Sequence, residues 1–332
     1  MAPGEPTDVT VAPPPPRPAI AWTPRHLLLG ATFAVPAVVV ATIDPVRGVA
    51  CALGVLPAAA LGLLPTRRSR ISYLLASTMA GLGILLGAVL GQTLALALVA
   101  IVTACVIGAV AAGRSAVGAA ILTLGVPMIG IGFSFDTASS GFVLAAIMAA
   151  GGLWCTLVSL PWPARPPRPP APPQPTTRLI GYGIRLGLAA GIATALGFAL
   201  QLDHVGWAVG AVLLVMRPNG GVVVARAFGR AGAVIAGAAL GGAFMVLTPP
   251  GWLMGVVALG LISVLTALAG SRWYITGFFG TFLVFMLLLQ GDPQDVAHRF
   301  WERAVETLVG VSLALIFGVL VPWAMGRMRS RS

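Results

Sequence analysis

Four charged side chains within eight positions, Arg299, Glu302, Arg303 and Glu306, interrupt an otherwise apolar C-terminal stretch. A spacing of three puts Arg299 with Glu302, and Arg303 with Glu306, on one helix face, where each pair can neutralise itself. The same residue types suit binding chemistry. A guanidinium is a planar fork that grips a carboxylate through two hydrogen bonds. A carboxylate withdrawn from water can exchange a proton near neutrality. Arg303 is therefore a candidate contact for an anionic substrate, and Glu306 for a proton that moves with it. An interfacial ion-pair network is the plainer alternative.

Arg185 follows Arg178 by seven residues, about 10 Å along a helix. It either snorkels to an interface or contacts an anion. Asp44, and Asp203 with His204, precede two short apolar segments, and Trp207 opens the second of these. Asp44 and Asp203 thus join Glu306 as candidate proton carriers. Trp207 joins Arg185 and Arg303 as a candidate substrate contact, with interfacial anchoring as its alternative. No HExxH, GxSxG or Walker motif is present, so no enzyme activity is expected. Cys51, Cys105 and Cys155 sit in apolar runs without ligand spacing. They read as small core residues, and no metal or cofactor is expected.

The elements that must carry these side chains are set by composition. Only 9% of the 332 residues are charged, 58% are hydrophobic, and mean hydropathy is +0.97. Soluble domains carry roughly 25% charge. The chain therefore reads as an all-α, polytopic transmembrane bundle, since only helices or closed barrels satisfy the backbone in lipid. Soluble enzymes, secreted disulfide scaffolds and nucleic-acid modules are excluded. Twelve apolar runs approach the ~20 residues a bilayer requires. In the first half these are His26–Ile43, Val49–Leu64, Ile71–Leu90, Thr93–Ala112, Ala116–Phe135 and Gly141–Leu160. In the second they are Leu179–Leu200, Val205–Met216, Ala231–Leu247, Trp252–Leu268, Trp273–Leu289 and Val305–Trp323. Residues 1–25 read as a disordered Pro-rich arm, 161–177 as a Pro/Arg-rich linker, and 326–332 as a basic stub. The two membrane units are 26–160 and 178–325.

Charge orients the spans. When loops are assigned alternately, sixteen of the 20 basic residues, all of them Arg, fall on one side, Arg67, Arg114, Arg165, Arg226, Arg230, Arg272 and Arg327 among them. The positive-inside rule makes that side cytoplasmic, with both termini and the linker. Topology thus accounts for the net charge of +11, and no nucleic acid is needed. The halves also repeat. Asp44 and Asp203, and Arg67 and Arg226, share one offset, and Pro161-Trp162 reappears two residues off register as Pro322-Trp323. Six spans is an even number, so the repeats are parallel, related by an axis along the membrane normal. Val49–Leu64, interrupted by Pro57, and Val205–Met216, stopped at Arg217-Pro218, are short at matched positions, which points to a transport site. GxxxG runs at Gly83, Gly87 and Gly91, at Gly183, Gly187 and Gly191, and at Gly237 and Gly241 point to close helix packing within the monomer, with a homo-oligomer interface as the lesser reading.

The second half resembles the fusaric acid resistance-like (FUSC-like) or aromatic acid exporter family. The residues that carry the resemblance are Trp207, the apolar strip to Arg217-Pro218, Arg226 and Arg230, Gly237 and Gly241, the stretch Tyr274 to Thr281, and the stretch Arg303 to Gly310. The resemblance covers about Leu179 to Trp323, and the first half looks like the same unit, more diverged. It implies a multi-pass exporter of aromatic or other organic acids in a bacterial inner membrane, driven by protons. A passive organic-anion channel and a non-transporting assembly protein are the alternatives. The sizeable cytoplasmic domains of many bacterial relatives have no counterpart here beyond the linker and stub.

Overall fold

In the computed structural model the described residues are 18, 20–135, 137–166, 176–218, 220–271, 274–290 and 295–329. They form helical rods and loops, with no strand among them. The rods are α1 (Arg25–Ala41), α2 (Pro45–Leu61), α3 (Ile71–Leu90) and α4 (Leu94–Ala112). The fifth rod joins α5 (Ala116–Ala120) to α6 (Val126–Gly132) through a π-helical turn, Ile121–Gly125. Next come α7 (Ala138–Ser159), α8 (Thr176–Ala199), α9 (Gly206–Val215) and α10 (Val223–Val246). α11 (Gly251–Ala267) and α12 (Ile275–Leu288) follow. The last rod runs from α13 (Val296–Leu315) through a second π-turn, Ile316–Leu320, into α14 (Val321–Arg329). Local chemistry marks several starts. The side chains of Asp44, Thr93, Ser115 and Thr137 accept from the backbone N–H three residues on, capping α2, α4, α5 and α7.

Among the described residues, six helices are long and apolar enough to cross a membrane: Arg68–Leu90, Leu94–Ala112, Ala138–Ser159, Arg178–Ala199, Gly220–Val246 and Val296–Arg327. Six shorter apolar helices accompany them. Large apolar side chains point outward from these rods, including Leu82, Val99, Phe142 and Leu240, each more than half exposed. Water would penalise so apolar an exterior, and lipid would not.

The helices pack in a repeating pattern. α3 lies along α7, and α10 along α13. α1 lies along α11, and α8 along α4. α3 meets α6 as α10 meets α12, and α2 meets α7 as α9 meets α13. Moving six rods along the chain, and wrapping at the end, turns the first contact of each pair into the second. Beside a small cluster of Ala80, Ile84 and Met148, two large apolar cores result, each drawing on both halves. One unites α4, α8, α9 and α13; the other unites α1, α2, α11 and α12. The GxxxG glycines serve these contacts. A Cβ on Gly87 would meet the α6 backbone, and one on Gly237 or Gly241 would meet α12. Cys105 and Cys155 are buried and free, and Cys51 is partly buried against the second core.

Several sequence expectations need correction. Pro57 does not interrupt α2, which is continuous over 17 residues. Packing on five neighbouring helices keeps it intact, and a Pro inside such a packed helix is tolerated. α10 begins at Val223 rather than Ala231, so Arg230 is a helical, buried residue and not a loop residue. The last helix starts at Val296, not Val305, and runs to Arg329, into the expected stub. The expected disordered arm ends earlier than residue 25. Ala21 N–H donates to Ser271 Oγ at 2.7 Å, and Thr23 N–H to the Ala267 carbonyl at 3.0 Å. The arm before residue 18, the linker over 167–175, Asp136, Arg272 and Asp292 lie outside the described residues.

Candidate functional site

α9 is the enclosed element. Nine of its ten residues are buried, Leu214 being the exception, and α6, α8, α10 and α13 surround it. It is about 15 Å long at a rise of ~1.5 Å per residue. Close approaches fix its start. Gly206 N–H donates to Ser134 Oγ at 3.0 Å, and a Cβ on Gly206 would strike the α6 backbone. Gly310 of α13 lies so close to Ala208 that a Cβ there would strike its carbonyl. That contact sets the charged start of α13 against the start of α9.

Trp207 is buried at this junction, 6% exposed, and is not an interfacial anchor. The Arg303 guanidinium carbon lies 4.4 Å from the Trp207 ring centroid, a cation–π contact. The His204 ring stacks on the same indole at 4.1 Å between centroids. Arg303 is buried and its Nε has no hydrogen-bond partner. Arg230 of α10 is buried likewise, with an unpartnered Nε, and the two guanidiniums repel one another. Gly277 leaves the space that the Arg230 guanidinium takes, since a Cβ there would lie 3.0 Å from Arg230 Nη1. Among the described residues no carboxylate comes within ion-pair distance of Arg303 or Arg230.

The expected Arg303–Glu306 pair therefore does not form. Arg303 turns onto Trp207, while Glu306 turns toward α8 and α9. There it borders a small cavity of about 60 Å³ with Ala193, Leu196, Gly197, Ala208 and Val309. Glu306 is 1% exposed, and neither carboxylate oxygen has a hydrogen-bond partner. Bulk water occupies about 30 Å³ per molecule, so the cavity has room for one or two.

Arg299 and Glu302 do pair, at 3.2 Å, inside a wider network. Arg299 also holds Asp203 at 2.8 Å and Asp295 at 2.9 Å. Glu302 reaches His204 Nδ1 at 3.0 Å, and His298 stands 4.0 Å from Asp203. The loop before α9 is thereby tied to the start of α13. Asp203, His298 and Glu302 offer three ligand atoms within 4.8 Å of one another, a spacing a metal ion could use. Arg299 already binds both of those carboxylates.

Asp44 stays apart from this cluster. It caps α2 and pairs with the exposed Arg47 at 3.3 Å. Arg185 also lies elsewhere, on the opposite end of α8 from Glu306, beside a second cavity. Sequence reasoning named Trp207, Arg303, Glu306 and Asp203 separately, the structure brings them to one region, and the sequence reading missed Arg230. The signal was available in Val222-Val223-Val224, an apolar run that starts α10 before the arginines rather than after them.

No curated protein and no solved structure matches the chain. Residues 192–317, from within α8 to the second π-turn, match the family model described as fusaric acid resistance protein-like, the family the sequence resembles. That match spans Trp207, Arg230, Arg303 and Glu306 and, with the apolar helices, marks the chain as a multi-pass membrane protein of transporter-like type.

Proposed function

We propose that the chain is a proton-coupled exporter of small aromatic or other organic acids in a bacterial cell membrane. It has twelve spans in two parallel six-helix repeats, with both termini cytoplasmic. The interchanged helix contacts, the enclosed α9 and the arginine distribution support the architecture. One observation carries the function: two buried guanidiniums, Arg303 and Arg230, have no carboxylate at ion-pair distance among the described residues and stand on family-matched helices near Glu306. A buried charge without a partner is costly, so the site favours an anion that can arrive and leave. Arg303 and Arg230 hold the carboxylate of the acid, and Trp207 holds Arg303 in place between turnovers. Glu306 takes and gives the proton, because it is the buried carboxylate that no cation holds.

Proteoliposomes loaded with radiolabelled benzoate test this reading. The wild type should move benzoate against its gradient when a pH difference is imposed. Arg303→Lys should weaken that movement, and Glu306→Gln should remove its dependence on pH. Downhill flux alone, unchanged in Glu306→Gln, would make the protein a passive anion channel. Absence of flux for a panel of organic acids would make it a non-transporting membrane protein.

A further inference from the structure

A second cavity, of about 250 Å³, opens at the other ends of the same helices. Arg178, Tyr182 and Arg185 of α8 line it, with Arg217 after α9 and Gly318 in the second π-turn. Arg185 has a buried Nε with no hydrogen-bond partner. Arg217 donates to the Leu213 and Met216 carbonyls through one nitrogen, at 3.2 and 2.9 Å, and so caps the end of α9. Among the described residues no acid lines this cavity. In the second half every described acid, Asp203, Asp295, Glu302 and Glu306, stands at the opposite ends of α9 and α13. Arg178, Arg185 and Arg217 thus bring like charge to one space with no described acid in its lining, and a mobile anion is the species that relieves it.

We infer that this cavity is an anion site for a small organic carboxylate, the site that receives it from the cytoplasmic side before it passes along α8, α9 and α13 to Arg303. This rests on the exporter reading above. The chemistry fits such a ligand. The Arg forks suit a carboxylate, while Tyr182, Met216, Pro218 and Pro322 supply apolar walls for its organic part. Small-molecule sites run upward from about 300 Å³, so this one suits a single ring or a few carbons. Both cavities are lined by α8 and by the last rod, one by α13 and the other by the second π-turn and α14, at the two ends of α9. An anionic lipid headgroup shares the charge of the ligand, and the test separates the two.

Radiolabelled benzoate is bound at equilibrium to the full chain in nanodiscs of phosphatidylcholine, and again with phosphatidylglycerol added. Wild type should saturate at two benzoates per chain. Arg185→Gln should lose one of them, or weaken it at least about tenfold, the worth of one charge-assisted contact. Arg178→Gln, at an exposed position, should weaken the same site should Arg185→Gln fail to insert. Arg303→Gln should lose the other benzoate. Unchanged binding in both Arg185→Gln and Arg178→Gln, with loss in Arg303→Gln, overturns the inference and leaves the exporter reading standing. Displacement of the Arg185-dependent benzoate by phosphatidylglycerol overturns it in favour of a lipid site. No benzoate bound to wild type in either disc removes the exporter reading and this inference together.

Discussion

Arg70 and Arg303 are both buried arginines, and their partners separate their roles. Arg70 is fully buried and donates to the carbonyls of Leu64, Ser159, Leu160, Trp162 and Pro163. It clamps the end of α7, with all three guanidinium nitrogens engaged by carbonyls. Arg70→Met should lower stability by about 3 kcal/mol, because buried carbonyls lose a charged donor. Thermal unfolding in detergent measures this, and unchanged melting would refute the clamp. Arg303 lies on an indole, with a free Nε. Arg303→Lys keeps the charge and loses the fork, so benzoate export should fall about tenfold or more with normal membrane insertion. Glu306→Gln should flatten the pH profile of export. Should both variants export with an unchanged profile, the proposed site is wrong. The sequence exposed Arg303 and Glu306 because charge in an apolar helix is rare and costly. It could not expose their separation, since a spacing of three gives proximity of backbones and leaves side-chain direction to the neighbours. Trp207 and the α8 wall decided that direction.

At the scale of elements, the two short segments matched in sequence differ in the structure. α9 has ten residues and covers about half of a ~30 Å hydrocarbon core, which it can do because protein surrounds it. α2 has 17 residues and keeps its course through Pro57. The site stands at the α9 end that α13 approaches, and Gly310 sets that approach. Gly310→Val should push α13 from Ala208, pull Arg303 off Trp207 and abolish export. Gly232→Ala is the control: its added Cβ has open space. It should raise stability slightly, by up to about 1 kcal/mol, since Gly is the poorer helix former. Transport assays beside melting curves would decide, and equal effects of the two substitutions would refute the packing role of Gly310. Helix positions were legible because apolar run length speaks for them. Helix ends were not, wherever arginines occur. α10 and α14 carry helix through Arg226, Arg230 and Arg327, since a long side chain can extend away from the apolar zone without ending the helix.

Across the described helices many contacts interchange between the halves, and the chemistry does not. At the repeat offset, Gly48 stands for Trp207, Leu144 for Arg303 and Ile147 for Glu306, so the first half holds no counterpart of the site. The contacts nonetheless interchange, α1 on α11 against α8 on α4. A rotation about the membrane normal produces such an interchange and preserves which side each loop faces. Reversed halves would instead put equivalent loops on opposite sides and scatter the arginines between them. The expected outcome is therefore specific. In a cysteine-free background, single cysteines at Arg165 and Ser332 should label only after the membrane is permeabilised, and one at Asp136 should label from outside. The arginine bias demands the first result, and the odd number of spans between the linker and Asp136 demands the second. Labelling of Ser332 and Asp136 from the same side would break the twelve-span topology. It would also place the Arg185 cavity on the wrong side of the membrane to receive an acid for export.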